Sequence, residues 1–177
     1  MNSFGLPIGR KKNPRIPTQI FDCEKKNIQA AFLRGLVDTD FSISFSKRGK
    51  RKAYSDPTLT STFSSQKLVE DCKKLIKLFD IKANIYSRIT IFNGKKFVQY
   101  TISVYGKKNL DKWIVNIGFS NEKNITKVKL WKKQGFCPTK TTVSERRELL
   151  NMLSENSILP RQKTASVGHQ SSLTVKV

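Results

Sequence analysis

The sequence predicts an α+β domain: one antiparallel four-stranded sheet with helices packed on one of its faces. Three observations carry this expectation. Four segments alternate polar and apolar residues with a period of two, and the stretches between them repeat apolar residues at helical spacing. The order reads α-β-β-α-β-β-α-α-α. Paired hairpins with one apolar and one polar face need helices over the apolar face alone.

The elements follow in order. Residues 1–24 carry Gly5, Pro7, Gly9, Pro14 and Pro17 among Arg10, Lys11, Lys12 and Arg15, which denies a long helix and leaves an irregular basic arm. Such an arm either follows phosphates or is solvated. A single domain is expected over 25–157. Its first helix spans 26–39, with Ile28, Phe32 and Leu36, joined by Leu33 and Val37, as the apolar stripe. A second stripe of small residues, Ala31, Gly35 and Thr39, runs at i, i+4, i+8 and suits close approach of another backbone. In 41–48, Phe41, Ile43 and Phe45 oppose Ser42, Ser44, Ser46 and Arg48; in 57–64, Leu59, Ser61 and Phe63 oppose Thr58, Thr60, Thr62 and Ser64. An amphipathic helix over 66–79 turns Leu68, Val69, Cys72, Leu75, Ile76 and Phe79 inward. In the second hairpin, 82–92 sets Ala83, Ile85, Ser87, Ile89 and Ile91 on its apolar face and 96–105 sets Val98, Tyr100, Ile102 and Val104 there, and the hairpin turns at Asn93-Gly94, a strong tight-turn dipeptide. Helices are expected over 107–117, 122–134 and 143–155, the last capped by Thr142 or Ser144 ahead of Glu145. Residues 158–177 are polar and unpatterned, and a disordered tail is expected there.

Charge narrows the function. The formal net charge is +21 over 177 residues. Lys and Arg in such excess repel one another in the folded state, and a polyanion relieves that cost. Nucleic acid is the expected partner. No apolar run approaches the roughly 18 residues that cross a bilayer, so no membrane partner is expected. Cys23, Cys72 and Cys137 are odd in number and far apart, which argues against a disulfide framework or a zinc site and for a reducing intracellular compartment. No apolar signal core opens the chain, so secretion is not expected. The one histidine, His169, lies in the tail, which sets aside histidine bases and histidine metal clusters.

The polar face of the sheet names the binding candidates. Ser44, Ser46, Arg48, Thr60, Thr62, Tyr86, Arg88, Gln99 and Thr101 share the parity opposite the apolar residues. A ribbon of donors and acceptors on a curved sheet suits a DNA major groove, with Arg48 and Arg88 fitted to guanine. Any solvated sheet face alternates in the same way, so the reading leans on the charge.

The acids are few, and two of them, Asp38 and Asp40, end the first helix, where the helix dipole is itself negative. Either a cation offsets them, and hard carboxylate oxygens suit Mg²⁺, or Asp38 pairs with Arg34 at i, i+4 and Asp40 opens a turn.

The run Ala31-Phe32-Leu33-Arg34-Gly35-Leu36-Val37-Asp38-Thr39-Asp40 resembles the signature of the LAGLIDADG homing endonuclease family. The Ser-rich strand after it, Gln66 at the next helix start, and Ile117-Gly118-Phe119 followed by Lys123 extend the resemblance, from about 25 to 155. The resemblance implies the αββαββα fold with a DNA-binding saddle. It implies Asp40 as the metal-binding catalytic carboxylate, Asp38 as a residue that holds the helix end, Gln66 (or Lys67, one residue on) as the water-positioning polar group, and Lys123 as the basic residue beside the metal. The signature occurs once, and single-motif members act as homodimers joined by the signature helix, here through Ala31, Gly35 and Thr39. The resemblance thus implies a Mg²⁺-dependent, site-specific, intron-encoded endonuclease that cuts double-stranded DNA as a homodimer on a long pseudo-palindrome, with two or more ions per dimer. The alternative on the same fold is a maturase acting on intron RNA, and a non-catalytic DNA-binding regulator is a further rival. Either a prokaryotic cytoplasm or an organelle fits. Arg34, Thr39 and Phe41 depart from the usual small or apolar residue, small residue and Gly.

Overall fold

The computed structural model describes residues 14–47 and 55–155. Its elements are α1 (Thr18–Asp22), α2 (Lys26–Asp40), β1 (Ser42–Ser46), β2 (Asp56–Phe63), α3 (Gln66–Lys77), β3 (Ala83–Phe92), β4 (Lys95–Tyr105), α4 (Lys107–Asn116), α5 (Glu122–Gln134) and α6 (Val143–Glu155). The strands form one antiparallel sheet in the order β1-β2-β4-β3, so β2 and β4 are central. Asn93 and Gly94, at φ 48° and 70°, make the left-handed turn that joins β3 to β4.

Alternation along the strands decides the layers. Ile43, Leu59, Ala83, Ile102 and Val104 are buried on one face, beneath the helices. With Leu33, Val37, Leu75, Ile76 and Trp113 they form one core. The opposite face carries no helix. Across it the register sets Ser42 beside Thr60, Thr60 beside Ser103, Thr62 beside Thr101, Tyr86 beside Thr101 and Arg88 beside Gln99.

Helix ends follow local chemistry. Thr142 is the α6 cap: its amide donates to Glu145 Oε2 at 2.7 Å, and the Glu145 amide donates to Thr142 Oγ1 at 3.2 Å. The same contacts hold the Glu145 carboxyl below its ordinary range. Gly135 closes α5 at φ 80°.

Three sequence expectations need correction. First, the inward face of α2 is Gln29, Ala30, Leu33 and Val37, while Ile28 is exposed and Phe32 and Leu36 are half-buried. Gln29 is inward because its carboxamide donates to the Ile20, Phe21 and Cys23 carbonyls at the end of α1. Second, the far end of the second hairpin projects past the helices, so Ile89, Ile91 and Val98 are exposed although they share the parity of the core. Third, the segment before α2 is not irregular throughout. It contains the short helix α1, and Ile16 is buried. The expectations for residues 1–13 and 158–177 lie outside the described residues. No helix among the described residues is long and apolar enough to cross a membrane.

Arg15 anchors this leading segment. Its guanidinium donates twice to the buried Asp71 carboxylate of α3, at 3.0 Å each, and the Ile16 amide adds a third bond at 3.3 Å. Arg15→Ala should leave that carboxylate with one backbone donor and lower stability, the loss tempered because the Arg15 side chain is itself 57% exposed. Urea unfolding checks it: the midpoint should fall at constant slope, and an unchanged midpoint would remove Arg15 from the account of stability.

Candidate active site and polar sheet face

The end of α2 collects the polar contacts. The Phe41 amide closes the helix on the Val37 carbonyl, and Phe41 leaves it at φ −97°, ψ 156°, ordinary extended backbone that needs no glycine. The Phe41 ring turns inward against Phe63, with centroids 6.0 Å apart and planes at 61°. Asp40 is thereby left exposed on the last turn. Its carbonyl accepts from the Ser61 hydroxyl of β2 at 2.7 Å, and its Oδ2 accepts from the Thr39 hydroxyl at 2.9 Å. The helix end is therefore pinned while the carboxylate stays in solvent.

Asp38 does different work. Its Oδ2 accepts from the Ser120 amide at 2.7 Å, across the chain at the start of α5. Asn121, the α5 cap, donates to the Asp38 carbonyl at 3.0 Å and accepts from the Lys123 amide at 2.8 Å. These bonds hold the α5 N-terminus, and with it the Lys123 backbone, against the α2 C-terminus. The alternative pairing of Asp38 with Arg34 does not form. Arg34 Nε donates to the Ile117 carbonyl at 2.6 Å instead, under Gly118, whose φ of 77° lets the chain reverse there.

Gln66 is exposed at the start of α3, and its carboxamide donates to Glu70 Oε1 at 2.8 Å. It also borders a groove with Ile85, Ser87 and Tyr100 on the helix side of the second hairpin. The fold thus ties Asp38 and the Asn121–Lys123 turn to the helix end that carries Asp40, and directs Gln66 along α3. Among the described residues no group of three or more His, Cys, Asp or Glu could enclose a metal ion, and Asp40 is the exposed carboxylate at this helix end. Burial, with the charges of Asp71 and Asp40 behind it, pushes the Cys72 thiol up to about 12, which leaves it an inert core residue.

Every described candidate for DNA contact lies on the helix-free face. Ser44, Ser46, Thr62, Tyr86, Arg88 and Gln99 are exposed there, and Thr60 and Thr101 are half-buried. Thr60 bonds the Ser103 hydroxyl at 2.9 Å, and Thr62 the Thr101 hydroxyl at 2.9 Å, so these rows are preordered. A hydrogen bond with Tyr105 raises the Tyr86 phenol above its ordinary value. Arg48 lies outside the described residues. Ala31, Gly35 and Thr39 are all exposed along α2, and a Cβ built on Gly35 would meet nothing. Sequence reasoning missed Ser61, Ser120 and Asn121. Only Asn121 left a signal, an Asn directly before a helix that opens on Glu122.

A sequence model of the LAGLIDADG-like domain matches residues 27–118, more than half of the chain. The chain belongs to the LAGLIDADG family. The match begins in α2 and ends at Gly118, so it takes in the signature helix and all four strands of the LAGLIDADG domain. No curated protein sequence matches the chain. Among solved structures it is similar to a "Group I Intron-encoded Homing Endonuclease I-CeuI Complexed With DNA", at 16% identity over 73% of this chain and 56% of that chain, with a TM-score of 0.30. The chain thus spans little more than half the length of that protein.

The join between α2 and α5 is testable. Asn121→Ala removes the α5 cap and one bond to α2, and should cost about 1 kcal/mol. Amide hydrogen exchange should accelerate in the first turn of α5 while the sheet stays protected. Unchanged protection at Lys123 and Asn124 would mean that the cap does not hold the two helices together.

Proposed function

We propose that this LAGLIDADG chain is a site-specific endonuclease that cuts double-stranded DNA as a homodimer with Mg²⁺. The observation that carries the reading is the solvent-facing Asp40 carboxylate, pinned at the end of α2 next to the first turn of α5 and beside a sheet face almost free of acids. Among the described residues that face holds one acid, Asp56 at its outer end, against Arg88, Lys95 and a field of hydroxyls and amides. A net charge of +21 supports a polyanionic partner.

The donor set fits a hard divalent cation. One exposed carboxylate offers anionic oxygen, and the remaining ligands would come from water, from phosphate oxygens and from the Asp40 of a second copy. When bound, Mg²⁺ supplies polarisation of the scissile phosphate and an acidified water. The residues of the chain do the rest. Asp40 binds and orients, with its carbonyl fixed by Ser61. Lys123 offers an N–H to the phosphate oxygens and stabilises the charge that builds there. Gln66 would have to leave Glu70 to orient water. Each subunit brings one such carboxylate, so cutting two strands requires two subunits. The open stripe of Ala31, Gly35 and Thr39 is the surface where two α2 helices can approach closely.

Two variants test the reading. Asp40→Asn keeps the shape and removes the anionic ligand, so cleavage should fall by orders of magnitude. Folding should survive, because a negative charge leaves a helix C-terminus. Duplex affinity without metal should hold or rise. Paired gel-shift and plasmid cleavage, in Mg²⁺ and in EDTA, read both; full cleavage by Asp40→Asn would sink the assignment. Wild-type protein that binds duplex and never cuts would transfer the reading to a maturase or a regulator. Gly35→Leu should separate the subunits, and light scattering that finds the same dimer in both proteins would move the seam elsewhere.

A further inference from the structure

A cationic cleft lies beside the sheet and shares Lys123 with the candidate active site. The edge strand β1, the α5 helix and the loop leading into α6 enclose a cleft of about 450 Å³. Lys123, Lys127, Lys140 and Arg146 line it, and no acid does. Arg146 is 2% exposed, yet its described partners are all neutral. Nε donates to the Thr126 hydroxyl at 2.9 Å, one terminal nitrogen bonds the Thr141 carbonyl, and the other reaches the Lys123 carbonyl at 3.5 Å. Lys127 is half-buried and donates to the Ile43 carbonyl on the outer edge of β1 at 2.7 Å. Desolvation and then the charges of Arg146 and Lys123 lower its pKa. Glu145 feels the charge of Arg146 but spends its hydrogen bonds on the α6 cap, and Glu122 pairs with Arg147, so no carboxylate bonds Arg146 or Lys127 among the described contacts. A buried guanidinium and a half-buried ammonium with no bonded carboxylate are costly unless an anion completes the site.

We propose that this cleft is a phosphate site that receives one backbone phosphodiester of the duplex in each subunit. The proposal rests on the nuclease reading for the identity of its ligand. Ser44 joins the cleft lining and also stands on the polar face, so a duplex lying on that face brings its backbone to the cleft mouth. A tetrahedral oxyanion fits the donors: Lys127 retains N–H groups beyond the one given to Ile43, and Lys140 sits on the loop with no described partner. The site is one of affinity and register, not of base sequence.

Lys127→Met keeps the aliphatic stem and removes the charge, and the thermal midpoint and circular dichroism check its folding. The slope of log Kd against log salt on duplex DNA should become shallower by about 0.9 per subunit. In a scan of duplexes with single methylphosphonates, one position per half-site should weaken the wild type and leave Lys127→Met unaffected. Inorganic phosphate should raise the wild-type thermal midpoint above chloride at equal ionic strength, and raise that of Lys127→Met less. If Lys127→Met does not fold, Lys140→Gln is read in the same way. Duplex binding with unchanged slopes and no silent position overturns the phosphate site and leaves the nuclease reading standing. Absence of duplex binding overturns the nuclease reading, and the inorganic phosphate arm then decides the site by itself, a null response there removing it.

Discussion

The bond from the Ser120 amide to Asp38 decides how the end of α2 is used. Two carboxylates on the last turn of a helix face a dipole of the same sign. Asp38 is relieved by a backbone donor at 2.7 Å from a segment 82 residues on, and its other oxygen is buried without a partner. That commits Asp38 to structure and leaves Asp40 alone in solvent. Asn121 extends the join by bonding the Asp38 carbonyl and capping α5. The position of Lys123 thus follows from the end of α2.

The acids elsewhere show the same division of labour. Asp71 binds Arg15, Asp80 pairs with Lys112, Glu122 pairs with Arg147, and Glu145 caps α6. Each of these contacts lies in the helical layer or at its rim. Placing carboxylates there leaves the polar sheet face nearly free of negative charge. Neutral donors and acceptors then dominate the face, with charge added by Arg88 and Lys95. The overall charge alone does not yield such a surface; the placement of the acids does.

Much of this was legible in the sequence because it is periodic. The strands were readable from alternation, the β3–β4 turn from Asn93-Gly94, and the α6 cap from Thr142 and Glu145. The inward face of α2 was not, because that helix carries two stripes: Leu33 and Val37 serve the core, while Ile28, Ala31 and Gly35 lie open, and both are apolar. Nor was the exposure of Ile89, Ile91 and Val98, since alternation reports parity and not where the helical layer stops. The site was half legible. Asp40 and Lys123 stand out by residue type and by resemblance. The Ser120 and Asn121 contacts depend on chain segments that no local pattern joins. The buried Arg146 reads in sequence as one more surface arginine of α6.

The three departures from the family signature fit one geometric account. Arg34 turns its guanidinium inward to the Ile117 carbonyl, so its bulk fills space within its own domain. Thr39 folds its hydroxyl toward the Gly35 and Leu36 carbonyls, at 3.2 and 3.1 Å, and so lies back along its own helix. Phe41 leaves the helix in extended backbone and sends its ring to Phe63, which glycine would leave unfilled. None of the three stands over Gly35, where nothing lies within 4 Å of a built Cβ. The larger residues therefore pack within their own chain and leave the Ala31, Gly35 and Thr39 stripe of α2 open.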